Sequence, residues 1–411
     1  MRMPKAWASW MIVGIVTLAL PCAAARAEIV APPPATPTME PEQSSFGHTS
    51  CVASAPRELG RSTLRNLRLV VAAQPSTGPS LARERPPALA AWSGGESAIM
   101  VRPIGLELGA TQTVSLDQGM NVSVLAPASG GRFMAITVGA LCGGGRARGY
   151  ACLRAIGLAA DGTAIAPAYA PEPSEQQLEI VARTPLRAAD GTPTGIALAT
   201  VSRWGGADIS LFRLGASGEV VVEPHPIHAD GPGDSPIHAL YAEGEQVVAT
   251  GRQETGATDE EGYPLDRPFV LALGQRRQPL APAVPASARL RWGRVQGAEL
   301  QLFYTMPHER VRWLRISTVD GSYQGGTPST IEPRASLPAS PISTSLRVVR
   351  GQLVLERGDL RGRTLGTMTI APARGRAVIA SAWDGTALEV VWATRAGREW
   401  VISESRVSCM P

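Results

Sequence analysis

Residues Ile379 to Ser408 read I-A-S-A-W-D-G-T-A-L-E-V-V-W-A-T-R-A-G-R-E-W-V-I-S-E-S-R-V-S. Three runs rich in apolar residues, Ile379–Trp383, Ala387–Ala393 and Glu399–Val407, are separated by Asp384-Gly385 and by Arg395–Gly397. A short connection between twisted antiparallel strands needs residues that accept positive φ, so Asp-Gly between alternating runs is a strong hairpin signal. The stretch predicts a three-stranded antiparallel meander.

Elsewhere in the chain, the central run A-L-E-V-V-W-A has counterparts at Ser97–Arg102, Phe133–Val138, Ile196–Ser202, Gln246–Gly251, Glu299–Thr305 and Gln352–Glu356. The spacing of roughly 35 to 60 residues is that of propeller blades. The turn before the central strand recurs around Trp92, Trp292 and Trp383, and the turn after the third strand around Gly162, Gly218 and Gly321. One meander alone leaves an apolar face exposed, so successive units must stack. The fold class expected is all-β, a β-propeller of six or seven blades with seven favoured. A β-sandwich would not repeat at this period, and a β-helix would repeat in shorter, more uniform coils. The 43 glycines and 35 prolines leave few windows able to sustain a helix.

These W-x-G turns and D-G hairpins resemble exported propeller-repeat proteins of high-GC bacteria. The resemblance covers most of Ala88–Ser408. It implies a fold, and it carries no catalytic residue onto this chain.

Residues 1–27 read as a secretory signal: Arg2 and Lys5 precede the apolar stretch Met11–Leu20, and Ala25-Arg26-Ala27 offers a small-x-small cleavage site. Lipidation at Cys22 is disfavoured, because Pro21 stands where a lipobox wants a small residue. Removing Arg2, Lys5 and Arg26 leaves 36 basic residues against 35 acidic ones. Such a chain has no electrostatic footprint for nucleic acid or an anionic membrane. No mature segment is long and apolar enough for a transmembrane helix. A secreted or periplasmic monomer is expected, with a proline-rich tether over 28–50 and a single propeller domain over 51–411.

Four cysteines remain, Cys51, Cys142, Cys152 and Cys409, and an even number in an exported chain suggests disulfides. Cys142 and Cys152 bracket the glycine-rich G-G-G-R-A-R-G-Y-A of a predicted hairpin, which pairs them locally. Cys51 and Cys409 are then left to close the ring. The last meander stops after its third strand, so an N-terminal strand must complete it, and R-N-L-R-L-V-V-A-A at Arg65–Ala73 is the expected donor.

Two polar clusters stand out. His225, His228 and His238, with Asp230 and Asp234, offer imidazole and carboxylate of the kind that binds zinc; a solvated link between blades is the simpler reading. Glu254, Asp259, Glu260, Glu261 and Asp266 surround Tyr263. A carboxylate pair could act on a glycosidic bond, whereas a solvated, self-repelling loop requires nothing further. The cysteine-bracketed hairpin and both clusters are expected at one rim. The tryptophans are expected to recur at one blade position as packing residues. No G-x-S-x-G elbow and no phosphate-binding glycine loop occurs. The function expected is non-enzymatic binding of a protein or glycan through that rim, with no cofactor; a hydrolase or lyase acting on an extracellular polysaccharide or other polymer is the alternative.

Overall fold

The computed structural model describes residues 51–409 except 77–84, 96, 118–119, 143–149, 171–177, 203–206, 228–236, 259, 261, 263, 274–277, 280–283, 286–288, 306–310, 318, 320–321, 327–342 and 359–363. The described residues are all-β, with one short 3-10 turn at Ser129–Gly131. They form seven antiparallel sheets, each built on a meander of sequence neighbours and the seventh joined by N-terminal strands. The first contains Leu69–Ala73, Ala88–Ser93, Ala98–Ile104 and Gln112–Ser115. The second contains Met120–Pro127, Phe133–Cys142, Tyr150–Leu158 and Ala164–Tyr169. The third contains Leu178–Arg187, Pro193–Ser202, Ala207–Leu214 and Val220–Ile227. The fourth contains Ile237–Glu243, Gln246–Thr258 and Pro264–Ala272, with Gln278–Pro279 and Val284–Pro285 both pairing with its third strand. The fifth contains Arg289–Gln296, Glu299–Thr305, Val311–Ser317 and Tyr323–Gly326. Ser343–Val349, Gln352–Gly358 and Thr364–Pro372 form the sixth.

The seventh sheet is built from both parts of the sequence. Ala377–Trp383, Ala387–Ala396 and Glu399–Cys409 form the predicted meander, and Cys51–Ala53 and Arg57–Ser62 both pair antiparallel with its third strand. The donor is therefore not Arg65–Ala73: Leu69–Ala73 opens the first sheet instead, paired with Ala88–Trp92. The reason lies in burial. L-V-V-A-A is mostly buried and packs within the first sheet's core, whereas R-E-L-G-R-S buries Leu59 completely and leaves Glu58 exposed, as an outer strand should.

Apolar clusters join the sheets face to face. Leu59, Leu69, Val71, Trp92, Val391, Trp400 and Ile402 lie between the seventh and first sheets. Comparable clusters join the first to the second, second to third, third to fourth, fourth to fifth and sixth to seventh. Each such interface supplies the burial that one twisted meander cannot provide for itself.

The second strands predicted from the repeat take that position in the second to seventh sheets. In the first sheet the alignment slips by one strand: Ser97–Arg102 falls on the third strand, and Trp92 is the penultimate residue of the second. Trp383 ends a first strand, so the tryptophans do not share one position. Turn chemistry agrees better. Asp384 Oδ1 accepts from the Thr386 and Ala387 amides, both at 2.7 Å, and Asp161 and Asp190 cap their turns through the amides of Thr163 and Thr192. The following glycines, Gly162, Gly191 and Gly385, all have positive φ. Hydrogen bonds from the Thr163 hydroxyl and amide, and from the Thr192 amide and hydroxyl, hold the Asp161 and Asp190 carboxyls below their ordinary range.

Candidate functional site

The direction of an antiparallel meander alternates, so turns joining first to second and third to fourth strands share one end of a sheet. Second-to-third turns and the links to the next sheet share the other. The two ends differ in chemistry.

At the first-to-second-turn end, hydrogen bonds run from sheet to sheet. The Ser76 amide donates to Asp384 O across the junction of the first and seventh sheets, at 2.5 Å. Gln74 Nε2 donates to Ala128 O and Arg132 O of the second sheet, at 3.1 and 2.5 Å. Arg132 Nη1 reaches Ala216 O of the third at 3.4 Å, and the Arg187 amide reaches Gly244 O of the fourth at 3.3 Å. The Gly297 amide of the fifth sheet donates to Glu243 of the fourth.

The same end of the junction between the seventh and first sheets holds a buried ionic network. On the third strand of the seventh sheet, Trp400, Ile402, Glu404 and Arg406 follow one another on one face; the first two enter the apolar cluster and the last two extend that face into charge. Glu389 stands opposite Arg406 in register, and Arg57 opposite Glu404. Arg406 Nη1 donates to Glu389 at 2.5 Å, and its Nη2 lies 2.6 Å from Asp384 Oδ2. Arg57 pairs with Glu404. Arg85, arriving from the first sheet's first-to-second connection, donates to Glu389 Oε1 at 2.9 Å, to Glu404 Oε2 at 3.0 Å and to Gly105 O at 2.9 Å. Arg57 Nη2 also donates to Gly105 O, at 2.8 Å. Asp384, Glu389 and Glu404 are each at most 1 % exposed, a depth at which an uncompensated charge would be very unfavourable. Burial acts most strongly on Arg85 and opposes its charge, but Glu389 and Glu404 together outweigh it and hold the guanidinium above its ordinary value. Three guanidiniums meet three carboxylates, and each carboxylate is engaged by at least one of them. Such a cluster orients chain segments and leaves no free base or nucleophile. The only local signal for it is the alternation W-x-I-x-E-x-R, which places charge on a core-facing register and does not feature among the candidate sites read from the sequence.

The described residues among those expected to form a ligand face fall at the other end. His225 is on the last strand of the third sheet opposite Ile209, and its Nε2 is buried without a hydrogen-bond partner. His238 is the second residue of the fourth sheet's first strand. The histidine cluster is therefore not one loop, since its ends belong to two sheets. His228, Asp230, Asp234, Asp259, Glu261 and Tyr263 lie outside the described residues. The acidic stretch is not a loop either. Pairing of the fourth sheet's second and third strands continues from Val248↔Ala272 to Thr258↔Pro264, which sets Glu254 directly opposite Asp266. The first strand's pairing starts only at Ile237↔Gly251, so Arg252–Thr258 and Pro264–Arg267 extend beyond it, with Glu260 exposed at the tip. The ladder shifts register between Glu254 and Thr258, where Gly256 has positive φ, so the extension is an irregular ribbon. Cys142 and Cys152 belong to the second and third strands of the second sheet, whose connecting turn leaves at this same end.

Among the described residues, no group of three or more histidine, cysteine, aspartate or glutamate side chains is arranged to hold a metal. No described helix is long and apolar enough to cross a membrane.

No family model matches the chain, and no curated protein matches it. Solved structures do. The β-propeller domain of the Trilobed protease from Pyrococcus furiosus aligns at 9% identity and a TM-score of 0.41, over 79% of this chain and 92% of that one. TolB from Acinetobacter baumannii aligns at 13% identity and a TM-score of 0.32, over 77% and 64%. The WD40 domain of SCAP from fission yeast aligns at 10% identity and a TM-score of 0.34, over 78% and 79%. The architecture itself is read from this chain's own connectivity: sequential meanders packed face to face in the manner of propeller blades.

Proposed function

We propose that this chain is an exported, non-enzymatic, seven-bladed β-propeller that binds a protein or a glycan through the rim carrying the histidine and acidic clusters. The observation that carries the reading is the asymmetry of the two ends. One is bound sheet to sheet by hydrogen bonds and a compensated ionic network. The other bears the strand extension around Glu254 and Asp266, with Glu260 exposed at its tip. A ligand surface must offer polar groups to solvent, as Glu260 does at that tip. The reading needs no cofactor. A metal held by His225, His228 and His238 would appear as stoichiometric zinc or another transition metal in elemental analysis, with melting sensitive to chelator.

Closure of the ring belongs to the same proposal. The N-terminal strand completes the last blade, and Cys51–Cys409 bonds across the seam. In support, Cys51 lies opposite Cys409 in register. The Ser54 amide donates to Arg406 O, and strict alternation from that pair makes Cys51 and Cys409 a non-hydrogen-bonded pair. Cα atoms in such pairs are about 4.5 Å apart, within disulfide reach. Cys51 and Cys152 hold no titrating thiol, which supports the local Cys142–Cys152 bond as well. Export is tested by N-terminal sequencing of the periplasmic or secreted product, where cleavage after Ala27 is expected, and monomeric state by light scattering.

The binding test uses the mature chain against a glycan array and a panel of envelope proteins, alongside Glu260→Arg and His225→Ala variants. The expected result is at least one ligand whose binding falls about tenfold or more in the rim variants while their unfolding midpoints are unchanged. A ligand indifferent to both variants but lost on changing the opposite end would overturn the choice of rim. Turnover of a polymer by the mature chain would overturn the non-enzymatic reading.

A further inference from the structure

The first strand of the third sheet, Leu178–Arg187, carries Arg183 and Arg187 on one face, with Pro185 between them. Its opposite face sends Ala182 and Leu186 into the apolar cluster shared with the fourth sheet. The arginines therefore turn toward the second sheet, where Arg183 Nη1 donates to Ser123 O at 3.2 Å. Ser123 is the residue skipped where the second sheet's first ladder shifts register between Val122 and Val124. Arg187 Nη1 donates to Gly191 O of its own turn at 3.0 Å, and its Nε is buried without a hydrogen-bond partner. First strands lie where neighbouring sheets meet: Ile237–Glu243 touches both Leu178–Arg187 and Arg289–Gln296, and Leu69–Ala73 touches both Met120–Pro127 and Ala377–Trp383.

Charge compensation sets this pair apart from the other buried cations. Arg57, Arg85 and Arg406 each meet buried carboxylates. Among the described residues no carboxylate forms an ion pair with Arg183 or Arg187, and Glu179, the acidic residue of their own strand, is exposed. Both arginines are half-buried, and burial pulls each guanidinium below its ordinary value. A guanidinium keeps its proton at physiological pH, so it does not escape the cost of desolvation by becoming neutral. Carbonyl oxygens offer it dipoles and no counter-charge, and each contact above uses a single N–H of a many-donor fork.

We infer that Arg183 and Arg187 form an oxyanion site between the second and third sheets, taking a carboxylate or phosphate group of a small ligand. Arg183 supplies the fork for the group itself, because a guanidinium matches two oxygens of a carboxylate or phosphate. Arg187, about 13 Å farther along the extended strand, adds attraction from the turn end of the same face. Half-burial suits the role: the guanidiniums are shielded enough to gain strongly from a counter-charge, yet solvent reaches them. The inference needs neither closure of the ring nor the ligand rim proposed above, and each can fail without the other.

The test compares the mature chain with Arg183→Met, Arg187→Met and, as a control on an exposed arginine, Arg61→Met. Each is titrated calorimetrically with sodium phosphate and with sodium succinate, and melted in either salt and in sodium chloride of equal ionic strength. Methionine keeps an apolar stem and removes the charge. Phosphate strengthens apolar burial in any protein, so the melting readout is the difference between variants. The unaltered chain should bind phosphate or succinate saturably and melt higher for it. Binding should weaken about tenfold or more in Arg183→Met, less in Arg187→Met, and not at all in Arg61→Met. In chloride, Arg183→Met should be at least as stable as the unaltered chain, because it removes an uncompensated charge. A response to one anion alone would support the inference and name the group. Absence of saturable binding, equal binding by Arg183→Met, or destabilisation of that variant in chloride would overturn it.

Discussion

The two ends of this molecule use similar residue types in opposite ways. Arg57, Arg85 and Arg406 meet Asp384, Glu389 and Glu404 in a dense, buried set at the junction of the seventh and first sheets. At the far end of the fourth sheet, Glu254 stands opposite Asp266 without an alternation of sign, and Glu260 is exposed. Like charges directly opposite on paired strands repel. Glu260 is exposed to water, whereas the buried network needs every charge compensated. Charge at the seam fixes which segments come together; Glu260 at the far end faces solvent.

The contrast is tested most forcefully at the seam. If Cys51 and Cys409 are bonded, Cys51→Ser and Cys409→Ser should destabilise equally in urea, and the double variant no more than either. The loop closed is nearly the whole folded chain, so chain entropy sets an upper effect of about 5 kcal/mol. Additive losses would separate the two cysteines.

Removing one side of the ionic network comes next. Glu404→Ala leaves Arg57 and Arg85 short of a buried partner, and a loss of about 3–5 kcal/mol is expected. Glu260→Ala at the far end should stay within about 0.5 kcal/mol. Equal effects from the two glutamates would erase the distinction between the ends.

A smaller effect tests the fit of the borrowed strand. A Cβ at Gly60 would lie 2.9 Å from Trp92 Cζ2, in the fully packed cluster that joins the first and seventh sheets. Gly60→Val should cost about 1–3 kcal/mol through overpacking, and tryptophan fluorescence should report the displaced indole. An unchanged emission spectrum and midpoint would mean that the outer strand is loosely held.

The smallest effect is acid sensitivity of the capped turns. Asp161 and Asp190 are held below their ordinary range in the fold. Their contribution is therefore complete above the unfolded carboxylate range and disappears as pH falls through the lowered values. Asp161→Asn and Asp190→Asn should lower stability slightly at neutral pH and leave it unchanged at pH below the lowered values, which flattens the acid limb of the stability profile.

Much of the fold is legible in the sequence. The Asp-Gly turns can be read directly because their chemistry is local: an aspartate that caps the next amides and a glycine with positive φ. The second strands at Phe133, Ile196, Gln246, Glu299 and Gln352 are legible for the same reason, since alternation and turn spacing lie within one meander. The first sheet misaligns because Trp92 lies near the end of a second strand while Trp383 ends a first, and an indole beside a glycine turn looks alike in both. The acidic stretch 252–267 has the composition of a loop, although strand pairing depends on what lies across the ladder. The buried network is invisible locally because Arg57 and Glu404 are brought together only by folding.

The β class, the meander as repeating unit and the places where the chain turns all follow from the order of residues, because each rests on interactions among near neighbours. Which N-terminal segment completes the seventh sheet, and which charges meet beneath it, are settled by the assembled fold alone. Arg65–Ala73 and Arg57–Ser62 could both pair as strands. The choice falls to the whole interface: Leu69–Ala73 is mostly buried in the first sheet, while Arg57–Ser62 brings Leu59 into the cluster that holds Trp92 and Arg57 to Glu404. That is a sum of distant contacts that no local pattern encodes.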